Sequence, residues 1–389
     1  MNSKIVFAVV GVVGLLVALR FWRTGDAEDG SQNLMENLQE LKDLIPEESF
    51  MQSEPPPSPT LSEPWRQISW GDNERETDLQ YVQNYTLAKG KVKHLRVLLY
   101  GPVGSGKSSF INSVSNVLRH RMSIPAAVSS TTSDKSFTTK YETHEIRRGT
   151  SDSFYPIVFN DIMGLEEGTG HGVQAEDIKL AMMGRVKEGY KFNAGSALSE
   201  HDPGYNQSPS PDDQVHVLVC VLSANTAEIK EPVLQKMRGV REAAGDLGIP
   251  QMMMITKIDE ACDEIEKDLR NVYKSMHLRK KMKDFSSAVG IPMNCIFPVK
   301  NYNEEININD DVDTLILSAL RRMIDFGDDF IDKMYSSDHQ YHEERWWNLI
   351  WDWILQLNSL YNLTTGLQQF GIWMTLLLGF GILIMMRSH

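Results

Sequence analysis

The stretch Gly101-Pro-Val-Gly-Ser-Gly-Lys-Ser108 limits what this chain can fold into more than any other. Its spacing is that of a phosphate-binding loop. An apolar run, Leu95 to Tyr100, leads into it, and a helical pattern, Ser108 to Arg121, leads out. Glycines in such a loop let backbone N–H groups close around a phosphate where side chains would obstruct them. Gly101, Val103, Gly104, Ser105, Gly106, Lys107, Ser108 and Ser109 are the expected phosphate contacts. Lys107 is expected to reach the β- and γ-phosphates and to stand exposed while the site is empty. Ser108 should offer its hydroxyl to Mg²⁺, and the helix N-terminus adds partial positive charge.

Further apolar runs follow at Tyr155–Asn160, Val215–Leu222, Gln251–Ile255 and Asn294–Val299. Continuous runs of this kind suit strands covered on both faces of a parallel sheet. Thr138–Ile146 is more polar, as an edge strand is. Helical patterns lie at Ala175–Tyr190, Glu231–Ala244, Asp259–Met276 and Thr314–Met334. The alternation predicts an α/β fold of Ras-like type, with a mostly parallel six-stranded sheet between helices, over residues 65–335. Phe192–Gln214, rich in Gly, Ser, Pro, Asn and Asp, reads as a long surface loop.

The base is chosen by Thr256-Lys-Ile-Asp259, directly after a strand-like run. A carboxylate there accepts two hydrogen bonds from guanine N1 and N2, whereas adenine presents no such donor pair. Thr256, Lys257 and Asp259 are therefore the expected base contacts, joined by the backbone N–H groups of Val299 and Lys300 at guanine O6. Asp161-Ile-Met-Gly164 closes another strand. Its carboxylate suits Mg²⁺, and the Gly164 N–H suits the γ-phosphate. The switch threonine lies among Thr131, Thr132, Thr138 and Thr139; Thr138, just before the edge strand, is the preferred candidate and a metal ligand with Ser108 and Asp161. Lys107, Thr138 and Gly164 form the catalytic set. Leu165 stands where Ras-like enzymes carry a water-orienting Gln, so any GTP hydrolysis should be slow.

Composition excludes one class of partner. The net charge is −13, which is unsuited to a nucleic-acid backbone. The three cysteines are widely spaced and imply neither disulfide nor metal framework. Both ends are apolar, at residues 5–22 and 370–386. Each run spans roughly 25–27 Å as a helix, short for a bilayer core of about 30 Å but a candidate transmembrane helix. No small-residue cleavage site follows the first. Residues 24–64 read as an acidic, Pro-rich linker. Residues 346–363 read as a Trp-rich amphipathic helix with Asn348, Asp352, Gln356 and Ser359 on one stripe, suited to a membrane interface.

The segments PWRQISW, VLLYGPVGSGKSSFINSVSN, SFTTKYETHEI, DIMGLEEG and LILSALRRMIDFGDDF resemble the interferon-induced protein 44 family of GTPase-like proteins, over about two-thirds of the chain. The resemblance implies GTP binding at Gly104, Lys107, Ser108, Asp161, Gly164 and Asp259, and a part in interferon-driven innate immunity. The apolar ends depart from that family's soluble, cytoplasmic description. The expectation is a membrane-tethered GTP/GDP- and Mg²⁺-binding switch, held by both termini with its G domain facing the cytosol. The endoplasmic reticulum and the outer mitochondrial membrane are thin enough for such spans. Two alternatives stay open: a scaffold or membrane-remodelling GTPase that forms a G-domain homodimer, and a pseudoenzyme that binds GTP without turnover.

Overall fold

The computed structural model of the chain describes residues 60–87, 92–126, 139–149, 152–168 and 171–361. The expected terminal spans and residues 24–59 of the linker lie outside them, as do Thr131, Thr132 and Thr138.

Six strands form one sheet: β1 (Leu95–Tyr100), β2 (Glu142–Arg147), β3 (Phe154–Asp161), β4 (Val217–Ser223), β5 (Gln251–Thr256) and β6 (Ile296–Pro298). Their order is β2-β3-β1-β4-β5-β6. Every pairing is parallel except β2 with β3, where the polar ETHEIR strand runs antiparallel at the border. The helices are α1 (Asp72–Asn84), α2 (Lys107–Arg119), α3 (Ala175–Met182), α4 (Glu231–Asp246), α5 (Ile258–Ala261), α6 (Asp263–Lys267), α7 (Met276–Val289) and α8 (Asp310–Tyr361). Alternation along β1 divides its side chains between two cores. Leu98 and Tyr100 join one with Ile178 of α3, Met237 of α4 and Met282 of α7. Leu95, Val97 and Leu99 join the other with Val82 of α1, Phe110 of α2 and Ile316 of α8.

The helices depart from the sequence pattern in places with local causes. The helix expected over 175–190 stops at Met182, because Gly184 and Gly189 take positive φ. The one expected over 259–276 breaks into short turns at Cys262 and Asp268, whose backbones are extended. The long helix there is α7, one segment later, capped by the Ser275 side chain accepting from the Leu278 N–H. The pattern also missed α1. Helix α8 runs on from 335 without a break and takes residues 346–361 of the Trp-rich segment as its last turns. No helix among the described residues is long and apolar enough to cross a membrane.

Both borders of the sheet are covered. The Arg66 guanidinium donates to the carbonyls of Ile296 (2.6 Å) and Met293 beside β6, and lies over the rings of Trp65, Tyr273 and Phe297. The residues before it are laid against the same region: the Leu61 N–H donates to Lys274 O (2.9 Å), at what was read as linker. At the other border, Tyr141 N–H donates to Tyr190 O (2.8 Å), Gly189 N–H to Tyr141 O (2.9 Å) and Thr143 N–H to Glu188 (3.0 Å). The long loop that follows is folded onto the domain, with Phe192, Leu198 and Tyr205 buried.

Candidate nucleotide-binding site

The motif residues converge at the C-terminal ends of β1, β3, β5 and β6, where parallel α/β sheets bind ligands. Gly101 leaves β1 at φ 150°, and a Cβ there would collide with the Val221 carbonyl of the neighbouring strand. Gly104 and Gly106 also take positive φ, so the loop curls over the start of α2. Lys107, Ser108 and Ser109 form the first turn of that helix, whose N–H groups have no intrahelical acceptor.

Lys107 differs from expectation. It is 7% exposed, not free, and its Nζ donates to the carbonyls of Gly101 (3.1 Å) and Pro102 (3.0 Å). Its pKa is lowered chiefly by burial, with the Asp161 carboxylate opposing the shift. Ser108 Oγ donates to Asp161, which is 2% exposed. Two hard oxygens thus meet at the end of β3, the donor set that suits Mg²⁺.

The loop after Asp161 is docked on the phosphate loop. Leu165 N–H donates to Gly101 O (2.9 Å), and Val103 N–H to Leu165 O (3.4 Å). The Val103 N–H, expected on a phosphate, is therefore engaged by the chain itself. Gly164 fits because it lacks a side chain: a Cβ would lie 2.6 Å from Val103 Cγ2. Helix α4 holds this loop from outside. Lys236 Nζ donates to the carbonyls of Glu166 (3.1 Å), His171 (3.2 Å) and Gly168 (3.4 Å), and Lys230 pairs with Glu167 at 2.6 Å. Sequence reading did not find Lys236, because no motif marks a lysine that acts through tertiary contact.

On the base side the sequence expectation divides. Asp259 sits in the first turn after β5 and pairs with Lys300 at 3.2 Å; Lys300 also pairs with Glu305 at 2.8 Å. Burial opposes charge on Lys300, but the hydrogen bonds it donates to Glu305 and Asp259 outweigh it and raise its pKa. Lys257 takes the left-handed conformation (φ 56°) that turns the chain from β5 into α5. Its ammonium lies 3.9 Å from Glu260. Thr256 is fully buried, and its hydroxyl donates to Ser105 O (2.7 Å) and Leu222 O (3.3 Å). Thr256 thus braces the phosphate loop and does not face a base. Val299 is likewise corrected: its N–H donates to Ile255 O (2.8 Å) within the sheet and is not free for guanine O6. Asn301, absent from the expected set, donates its side-chain amide to Gly106 O (3.1 Å).

Strand order, phosphate loop, Ser108–Asp161 pair and Asp259 together define an α/β P-loop domain of the GTPase class. No family model matches the chain. It is 31% identical over 262 residues to interferon-induced protein 44 of Homo sapiens, covering 67% of this chain and 58% of that protein. To interferon-induced protein 44-like of Homo sapiens it is 30% identical over 254 residues, covering 65% of this chain and 56% of that one. The chain is similar to the interferon-induced protein 44 family over about two-thirds of its own length, and it spans somewhat over half the length of the relatives it matches. Among solved structures it is similar to Toc33 from Arabidopsis thaliana in complex with GDP and Mg²⁺, at 13% identity and TM-score 0.37, covering 65% of this chain and 90% of that one.

Proposed function

We propose that this protein binds GTP and GDP with Mg²⁺ and acts as a slow, nucleotide-dependent switch in the interferon-linked innate immune response. The observation that carries the reading is the shared end of four strands. The phosphate loop, the Ser108–Asp161 pair and the Asp259 carboxylate face one place, and Asp259 has the chemistry for guanine. Ser108 and Asp161 would hold the metal, with Thr138 as its third expected ligand. Bound Mg²⁺ would neutralise charge on the β- and γ-phosphates. Lys107 must exchange two loop carbonyls for phosphate oxygens, which couples filling of the site to rearrangement of Gly101 and Pro102. Gly164, hinged to the loop through Leu165, is the group poised to answer a γ-phosphate.

Two apolar side chains support slow turnover. Leu165 has no group to orient a water, and Val103 fills the space beside Gly164. The same pair favours GTP binding without hydrolysis as the second reading. The immune role is taken from the relatives. Tethering of both termini, with the domain on the cytosolic side of a membrane, rests on the apolar runs 5–22 and 370–386. Isothermal titration of the full chain with GDP, GTP and ADP, with and without Mg²⁺, is the test. Tight guanine-selective binding is expected. Equal affinity for ADP would reject the base assignment, and no binding of any nucleotide would reject the whole reading.

A further inference from the structure

The first residue of the base-reading motif makes a single kind of tie to the phosphate loop, through one hydroxyl. In a site of this design the phosphate loop and the base pocket must keep one spacing, or a nucleotide cannot satisfy both ends at once. A side-chain amide after β5 has the reach to tie the two. Thr256 stands there instead, fully buried, with its single hydroxyl hydrogen directed at Ser105 O and Leu222 O. It has no second donor.

Asn301 lies one residue beyond Lys300, the partner of Asp259, and one strand over from Thr256. Its Nδ2 donates to Gly106 O, the carbonyl of the residue immediately before Lys107. The orientation follows from chemistry: a carbonyl only accepts, so the amide nitrogen must face it. The approach is close, since a Cβ on Gly106 would lie 2.9 Å from Asn301 Nδ2 and 3.4 Å from Thr256. Gly106 is thus wedged between the two side chains. The other end of the amide, Oδ1, is enclosed with no hydrogen-bond partner among the described residues. Leaving an acceptor so is unfavourable, and the donor end is what the position retains.

We infer that Asn301 is a positioning residue of the guanine pocket: its carboxamide ties Gly106 of the phosphate loop to the chain segment that carries Lys300, a second tie beside the one Thr256 makes to Ser105. The bridge joins two segments that touch different ends of one ligand. Asn301 therefore acts on nucleotide residence through the loop, without contact with reacting atoms. The inference rests on the guanine reading above.

The test uses the full chain in Mg²⁺ buffer, with GDP affinity and dissociation rate measured beside thermal melting of the empty protein. Asn301→Ala should weaken GDP about tenfold, the scale of one net hydrogen bond, mainly through faster release. Asn301→Asp keeps the shape but turns an acceptor on Gly106 O, so its loss should be larger. Thr256→Asn added to Asn301→Ala should restore affinity by supplying an amide from the adjacent strand. An Asn301→Ala protein that holds GDP as tightly as the parent overturns the inference. So does a rescue variant that melts cooperatively yet recovers no affinity. If the parent itself binds no GDP, the guanine reading fails and this one with it.

Discussion

Replacing Asp259 by Asn separates guanine recognition from phosphate binding. Guanine N1 and N2 would each donate to the carboxylate, and a hydrogen bond to a charged group is worth about 1.5–3 kcal/mol. Binding also displaces something. Asp259 is paired with Lys300 at 3.2 Å, with the two side chains 21% and 27% exposed. A pair this accessible to solvent contributes about 0–1 kcal/mol, so guanine competes with it successfully. Asn keeps one acceptor for N1 or N2 and presents a donor to the other. The net loss should be about 2 kcal/mol, roughly thirtyfold in GDP affinity. Xanthosine diphosphate should gain, because its C2 carbonyl accepts from the new amide. Competition of GDP, XDP and ADP against a fluorescent guanine nucleotide measures all three. Unchanged GDP affinity in Asp259→Asn, or ADP competing as well as GDP in the parent, would refute the reasoning.

Lys107→Ala should abolish measurable nucleotide binding. Because Lys107 also holds two loop carbonyls, the variant should melt slightly lower, and retained affinity in a titration would reject the phosphate-loop assignment. Single-turnover measurement on the monomeric protein should give hydrolysis at or below the order of 10⁻⁴ s⁻¹, the unassisted Ras scale; many turnovers each second would expose a missed catalytic group. Burial depresses the His216 imidazole to about 4, while its Nδ1 accepts from the Arg96 N–H. The unfolded chain therefore takes up this proton first, and His216 contributes stability above pH 6.5 that is lost as pH falls towards 4. The loss should approach roughly 3 kcal/mol. Asp313, raised to about 6 mainly by burial, works in the opposite sense, stabilising below about 4 and fading as pH rises towards 6. The comparison is thus parent against His216→Asn, which keeps an acceptor and cannot charge. Parallel denaturation curves between pH 4 and 6.5 would contradict the assignment.

The chemistry-bearing turns were legible because local sequence dictates them. Gly101-to-Ser108 needs its glycines whatever surrounds it, and Asp161 and Asp259 follow strands marked by continuous apolar runs. Strand β1 could be read to the residue for the same reason. What escaped depends on contacts between distant segments. Whether Thr256 faces a base or a carbonyl is decided by Ser105, 151 positions away. Whether the Val299 N–H is available is decided by Ile255. Lys107 was expected in the open while the site is empty, yet the loop's own carbonyls take its ammonium in place of phosphate. Helix α1 was missed because DNERETDLQYVQN has little apolar periodicity of its own; Val82 and Tyr85 become buried only once the domain assembles.

The covered borders of the sheet bear on how copies of this chain could meet. A bare outer strand is a template for pairing with another chain, and so for uncontrolled polymerisation. Here β6 is only three residues long, and Arg66 occupies carbonyls beside it that a new strand would seek. Beside β2, Glu188 to Lys191 take the neighbouring backbone groups, and the acidic and basic side chains of the strand discourage an apolar partner. The segment that leads into the Phe192–Gln214 loop therefore acts as a seal. Edge-to-edge extension of this sheet would require peeling away segments already bonded to the domain. Any self-association would be directed instead to helix faces and the nucleotide face, where contact can be made and broken without unzipping the fold.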